Sequence, residues 1–456
     1  MRTVGLLVEP SVAGASGTWR RRALMISWLC LMLVTTTSPA AAGPGDLDQS
    51  FGGNGKVTTG FGPGRVAAAY AVAVQRDGKI VAAGTVSTDA SSAFAVVRYR
   101  TDGSLDPTFG GDGKVLVPLG GAAYAVAIQG DGKLVVAGGA GSRFGVVRLN
   151  ADGSLDPTFG ENGEVTTDVT TPGDPGSRGG GAAAVALQSD GKIVVAGTRG
   201  DEDEAESDTD AVLVRYKVDG SLDTTFGTNG ITIANPGGVR TEGHAVVVKP
   251  TGKILVAGVA DLQFMLARFN SDGTDDRSFG RSGAVVTTFG TDHSDEGFDL
   301  TLLDHGKIVL AGEDCPPGHA CVNHSRFALA RYTRDGTLDP SFSGDGKRIT
   351  RFGPGRGAAA YAVAVQRDGK IVAAGRQGWG CSPSGCPTNS RFALAQYNAD
   401  GSLDTSFGEQ GKLTVRFGRP SFAWAADVVI QDDGKIVAAG LARKSGIRFA
   451  LARCRD

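Results

Sequence analysis

A hairpin phrase that returns seven times constrains this chain more than any other feature. AVAVQRDGKIVAAG at residues 71–84 recurs as AVAIQGDGKLVVAG, AVALQSDGKIVVAG, AVVVKPTGKILVAG, DLTLLDHGKIVLAG, AVAVQRDGKIVAAG and DVVIQDDGKIVAAG. Its turn glycines are Gly78, Gly132, Gly191, Gly252, Gly306, Gly369 and Gly434, spaced 54 to 65 residues apart, and each is followed by lysine. Between the copies runs a second phrase, FAVVRYRTDGSLDPTFGGDGKV at residues 94–115, which recurs with small changes through to residues 392–413. Such a period means one supersecondary unit that buries its faces only by stacking on its neighbours. Residues 60–84 and 351–375 agree at 23 of 25 positions, as a recent duplication would leave them.

Each unit reads as four short strands. AVAVQ alternates small Ala71 and Ala73 with larger Val72 and Val74, the period of two of a strand whose faces pack differently. KIVAAG follows across an Asp-Gly turn, the strongest short hairpin signal. FAVVRY is the third strand, and the turn-rich DGSLDPTFGGDGK leads to a fourth, KVLV at 114–117 or KVTT at 56–59. No window has helical spacing. The repeat region opens near Leu47 with the tail half of a unit and closes near Arg453 with the head half. Offset ends of this kind close a ring and remove an exposed edge, whereas a solenoid needs atypical caps. The expected fold is therefore all-β: one seven-bladed β-propeller of four-stranded blades over residues 43–456, its ring closed by the N-terminal strand joining the last blade. The 70 glycines among 456 residues fit such punctuation, because five per unit, represented by Gly78, Gly84, Gly103, Gly110 and Gly113, are expected to mark tight turns.

Residues 1–42 read differently. Arg20, Arg21 and Arg22 precede an apolar run at 23–34, and Ala40, Ala41 and Ala42 follow, the layout of a secretory signal peptide cleaved near Gly43. The run is about twelve residues, short of the roughly twenty that span a bilayer. No membrane span is expected, and the mature protein is placed outside the cytoplasm, secreted or on the cell-envelope exterior. The arginines loosely resemble a twin-arginine signal, so the export route stays open. With 46 Lys+Arg against 48 Asp+Glu, the net charge of −2 lacks the basic stripe that nucleic acid demands. No nucleic acid partner is expected, and a monomer is.

The LDxxFG and DGKIVxAG elements resemble the delta-60 repeat family of bacterial secreted propellers and, more distantly, propellers of the NHL type. The likeness covers about 407 residues, from Leu47 to Arg453, and departs at Asp275 and Asp276 and at Ser343. It implies the fold and export and no common catalytic residue.

Residues present in every unit are expected to build it. The repeated Lys79 reads as a solvated lysine beside a turn. Asp102, Asp106 and Asp112 lack the ligand spacing of an EF-hand and read as turn formers. Phe51, Phe109, Phe159, Phe226, Phe279, Phe342 and Phe407 read as plugs between blades. Function is expected where the repeats differ. Before the innermost strand the aligned residues are Tyr70, Tyr124, Ala183, His244, Phe298, Tyr361 and Ala426, with Asp299 and Asp427 replacing alanine one step later. With Trp379 and Trp424 as exposed aromatics, they make up the candidate binding face, a polar and aromatic channel mouth.

Five cysteines follow the leader. CPPGHAC and CSPSGC point to local bridges, Cys315 to Cys321 and Cys381 to Cys386, with Cys454 free or intermolecular. Cys315, His319, Cys321 and His324 are also four zinc-type donors, but their spacing is tighter than a finger and an oxidising compartment favours the bridge. The acidic run Asp201 to Asp208 reads as a solvated loop tip. No metal, cofactor or catalytic residue is expected. The function that emerges is an exported, non-enzymatic scaffold that presents its variable loop face to a protein or glycan. The alternative is a hydrolase or lyase with a metal or carboxylate site at the channel mouth, using Asp299, Asp427 and His244.

Overall fold

The computed structural model describes residues 43–170, 180–200, 209–234, 240–318, 321–378, 389–419 and 421–456. Residues 1–42, where a signal peptide is expected, the acidic run at 201–208, His319, Trp379, Cys381 and Cys386 lie outside them. The described chain forms seven four-stranded antiparallel sheets. The first blade comprises Val66–Val74, Ile80–Ser87, Ser92–Tyr99 and Lys114–Val117. The seventh comprises Ala423–Ile430, Ile436–Arg443, Ile447–Cys454 and, as its outermost strand, Lys56–Thr59. Val57 stands opposite Leu451 in that pairing, so the ring closes through the N-terminal strand as expected. First strands of successive blades contact one another all the way round, which places them innermost. Among the described residues the helical content is two short turns, Asp304–Gly306 and Cys321–His324. No helix there is long and apolar enough to cross a membrane.

The second strands carry the core. Ile80, Val81, Ala82 and Ala83 are all fully buried, as are their counterparts in the other blades, because sheets cover both of their faces. Between blades sit the repeated phenylalanines, fully buried as expected. A Cβ at Gly103 would meet the ring of Phe51 at 2.9 Å, so this glycine makes room for the neighbouring blade's plug as well as turning the chain at φ 84°.

The repeated charges form one network per blade on the face that carries the Asp-Gly hairpins. Arg98 Nε donates to Asp106 Oδ2 at 2.9 Å, Lys79 pairs with the same carboxylate at 3.4 Å, and the guanidinium lies 4.7 Å from the Phe109 ring centre. Its Nη1 donates to the carbonyl of Ala151 in the next blade. Burial raises the Asp106 pKa, but the Thr108 bonds, Arg98 and Lys79 outweigh it and hold the carboxyl at about 2. All seven repeated lysines pair with this aspartate of their own blade, so they are structural partners and not merely solvated. The turn aspartates behave as expected: Asp102 accepts from the amide and hydroxyl of Ser104. At the closure, Arg453 reaches Asp48 at 2.9 Å across 405 residues of sequence. Blade six departs from the pattern, with Gln396 where the others have arginine. Its amide nitrogen donates to Gln366 and to Asp456.

One glycine class is not a turn. Gly84 and its counterparts lie inside the second strand without positive φ, while Gly78, Gly103, Gly110 and Gly113 do turn the chain. Opposite Gly84 the first strand bulges, with Ala69 facing Gly84, Ala71 facing Ala83 and Tyr70 left over. A Cβ on Gly84 would stand 1.9 Å from the Ala68 carbonyl oxygen. The glycine therefore admits the bulge.

Candidate functional site

All seven first strands carry that bulge. The residue each leaves over is Tyr70, Tyr124, Ala183, His244, Phe298, Tyr361 or Ala426. A bulge re-aims the side chain it leaves unpaired, which is why the sequence-variable positions gather around the channel at one end. They form two aromatic arcs. Tyr70 and Tyr124 pack with ring centres 5.0 Å apart; His244 stacks on Phe298 at 5.6 Å, and Phe298 meets Tyr361 edge-on at 5.1 Å. Ala183 and Ala426 interrupt the arcs.

At the Ala183 gap a cleft of about 900 Å³ opens between Tyr124 and His244. Gly121, Gly139, Gly181, Ser92 and Thr198 are among its lining. Tyr124 is 43% exposed at its edge. No described residue of the lining is an aspartate, glutamate, lysine or arginine.

On the His244 side of the cleft, blades four to six bring together polar side chains that no other blade shares. His244 Nδ1 contacts the Gly297 carbonyl at 2.8 Å and its Nε2 the Glu242 carboxylate at 3.1 Å. Burial works to lower the His244 pKa, but Glu242 and the Gly297 carbonyl win and raise it. Burial pushes Glu242 up, and His244 with Arg240, which is 2.7 Å away, brings it below the usual range. Glu296 is raised by burial. Burial also carries Glu313 up to about 7, against the pull of Arg376 at 3.6 Å. Arg376 Nε donates to the Tyr361 hydroxyl at 2.7 Å. The sequence reading missed Glu242, Glu296, Glu313 and Arg376. Aligning the residue two before each bulge would have exposed two of them, since the other blades have Ala68, Ala122, Gly181, Ala359 and Trp424 there.

Asp299 and Asp427 are tied into the ring. Asp299 accepts the amides of Leu300 and, in the next blade, Val363, both at 2.8 Å. Asp427 accepts those of Val428 and Val72, at 2.7 Å. Both keep some surface open to the channel but are ringed by protein, so burial raises Asp299 to about 7, with Asp427 adding to it, and Asp427 to about 6. They bridge blades where the other five innermost strands have alanine.

Trp424 differs from expectation. It is half-buried, T-shaped against Phe422 at 5.3 Å and packed in a cluster with Leu441 and Tyr70. Cys315 and Cys321 form the expected disulfide, which takes both sulfurs out of the zinc set. Cys454 is a buried free thiol, pushed by burial up to about 12, so it is withheld from intermolecular pairing in the folded ring.

Six segments, residues 75–109, 129–159, 188–226, 249–279, 319–342 and 366–407, match the family described as a domain of unknown function (DUF5122) beta-propeller. The chain thus carries the repeats of a β-propeller family. A search of curated proteins found no match. Among solved structures, a protein of unknown function from Dyadobacter fermentans is 12% identical, with a TM-score of 0.43, over 88% of this chain and 97% of its own. Polysaccharide lyase Uly1 is 12% identical, with a TM-score of 0.44, over 85% and 90%. Sqt1 from Chaetomium thermophilum, bound to the N-terminus of the ribosomal protein L10, is 11% identical, with a TM-score of 0.40, over 86% and 88%. Enzymes and binding proteins both occur among these likenesses, which concern the ring of blades alone.

Proposed function

We propose that the protein is an exported, non-enzymatic propeller that binds a neutral glycan in the cleft between Tyr124 and His244. The observation that carries this reading is the cleft itself. It combines an exposed tyrosine, a platform for the apolar face of a sugar, with a lining of glycine and alanine that leaves room for the ring and the Ser92 hydroxyl, which accepts the Gly121 amide and keeps its own hydrogen to donate. No described residue of the lining is an aspartate, glutamate, lysine or arginine, and the positive charge that His244 takes up is answered by Glu242, which favours an uncharged ligand over an acidic one. Export is supported by the leader and by the Cys315 to Cys321 bridge, since disulfides persist in oxidising compartments. The resemblance to delta-60 secreted propellers points the same way. A glycan array of neutral and acidic oligosaccharides tests the ligand class. Binding confined to neutral glycans and lost in Ala183→Trp, which fills the gap, is the expected result; selection of acidic glycans, or of none, overturns it.

A catalytic reading has one observation in its favour. Glu242 is pulled below the usual carboxylate range while Glu296 and Glu313 are pushed above it, the separation that acid and base roles require. Turnover of a bound glycan that Glu313→Gln abolishes would establish it. Asp299 and Asp427 are poor candidates because their oxygens already serve the neighbouring blade.

A further inference from the structure

Blade five contains a feature that neither the repeat nor the cleft explains. Where its first two strands begin and end, Asp295 stands directly opposite Asp314, and the next pair inward is Glu296 opposite Glu313. Like charges facing across strands destabilise a sheet. The positions of the first pair are held elsewhere by Ala67 and Val86, Thr241 and Ala260, Ala358 and Gln377, and Ala423 and Ala442. Both Asp295 and Asp314 are fully buried. Burying two carboxylates together is costly unless cations answer them.

The surroundings answer them only in part. Arg326 donates to Asp314 Oδ2, and His293 Nδ1 meets Asp314 Oδ1 at 2.5 Å. Asp295 Oδ2 accepts from the Phe289 amide at 2.8 Å and the Thr288 hydroxyl at 3.1 Å. Its Oδ1 is buried with no hydrogen-bond partner among the described residues. One donor atom from each of His293, Asp295 and Asp314 lies within 4.8 Å of the others. His293 keeps some surface exposed, which gives the cluster an approach from solvent.

We propose that His293, Asp295 and Asp314 bind one divalent transition-metal cation, of the zinc or manganese type. One imidazole nitrogen and two carboxylates are a donor set that such ions take, whereas calcium prefers six to eight oxygens. The cation answers the orphaned Asp295 oxygen and takes the place of the proton that His293 shares with Asp314. Arg326 balances part of the charge and fixes Asp314 in orientation, as outer partners of metal ligands do. Three protein ligands leave the remaining coordination to water or a ligand. This site does not rest on the glycan reading.

The test is calorimetric titration of the full folded chain, stripped with chelator, with Zn²⁺, Mn²⁺ and Ca²⁺ salts in turn, alongside metal analysis after dialysis. One equivalent of Zn²⁺ or Mn²⁺ per chain is expected, with affinity at least ten-fold weaker in Asp295→Asn and in His293→Gln and unchanged in His324→Ala. If Asp295→Asn does not fold, His293→Gln carries the test alone. Absence of saturable binding by the intact protein, preference for Ca²⁺, or equal affinity in the folded variants would overturn the proposal.

Discussion

The two faces of the ring are built on opposite rules. On the hairpin face the same arginine, aspartate, lysine and phenylalanine recur in six blades, each of those carboxylates answered by two cations and each guanidinium reaching the next blade, while in blade six Lys370 alone answers Asp404. On the other face every blade keeps the bulge, but the side chain it presents varies among tyrosine, alanine, histidine and phenylalanine, and two carboxylates of blade five, Glu313 and Asp295, each have an oxygen buried without a hydrogen bond. Repetition marks what holds blades together. Departure from it marks where the molecule can bind.

Breaking the repeated face should have the largest effect. Arg331→Ala leaves the buried Asp339 with Lys307 as its remaining cation and removes a contact to blade six, so a loss of about 3–5 kcal/mol is expected in denaturant unfolding. Gln396 offers the matching control, because Gln396→Ala removes two neutral-donor bonds and should cost about 1–2 kcal/mol. Equal losses at the two sites would remove the arginine network from the account.

Asp299 lies between the two rules, since it is variable in identity and structural in its bonds. Its folded pKa of about 7 exceeds the ordinary value of 3.8, so between those limits the native state holds more protons than the unfolded one. Its contribution to stability therefore falls as pH rises from about 4 to about 7 and is flat beyond. Asp299→Asn removes this dependence. Relative to wild type, the variant should gain on the order of 2–3 kcal/mol between pH 5 and pH 8. A constant gap in chemical denaturation would show that the carboxylate is ionised throughout.

The smallest effect on stability is expected at the cleft. Tyr124→Ala, at an exposed edge, removes a ring contact with Tyr70 and should cost no more than about 1 kcal/mol. A marked loss of stability there would make Tyr124 part of the ring's packing.

Much of this division was legible in the residues. The Asp-Gly hairpins fixed strand pairing, and the offset ends at Leu47 and Arg453 foretold that Lys56–Thr59 would complete the last blade. The role of Gly84 was not legible, because a turn and a bulge both select glycine and the spacing of one strand does not reveal its partner's register. Tyr70, Tyr124, His244, Phe298 and Tyr361 were picked out because they vary within a repeated frame. Glu296 stands out once the residues two before each bulge are aligned, whereas Glu313, Asp295 and Asp314 were missed because they become neighbours of one another only when two strands are paired. Trp424 looked exposed in sequence and is half-buried, since its neighbour Phe422 and Leu441 of the next strand close over it.

The most direct test of the division is calorimetric titration of the neutral oligosaccharides selected on the array into wild type, Tyr124→Ala and Arg331→Gln, with melting temperature recorded for each. The account predicts that Tyr124→Ala loses at least ten-fold in affinity with only a small fall in melting temperature, while Arg331→Gln melts much lower and, below that temperature, binds as wild type does. Undiminished binding by Tyr124→Ala, or an affinity that falls with stability in both variants, would contradict it.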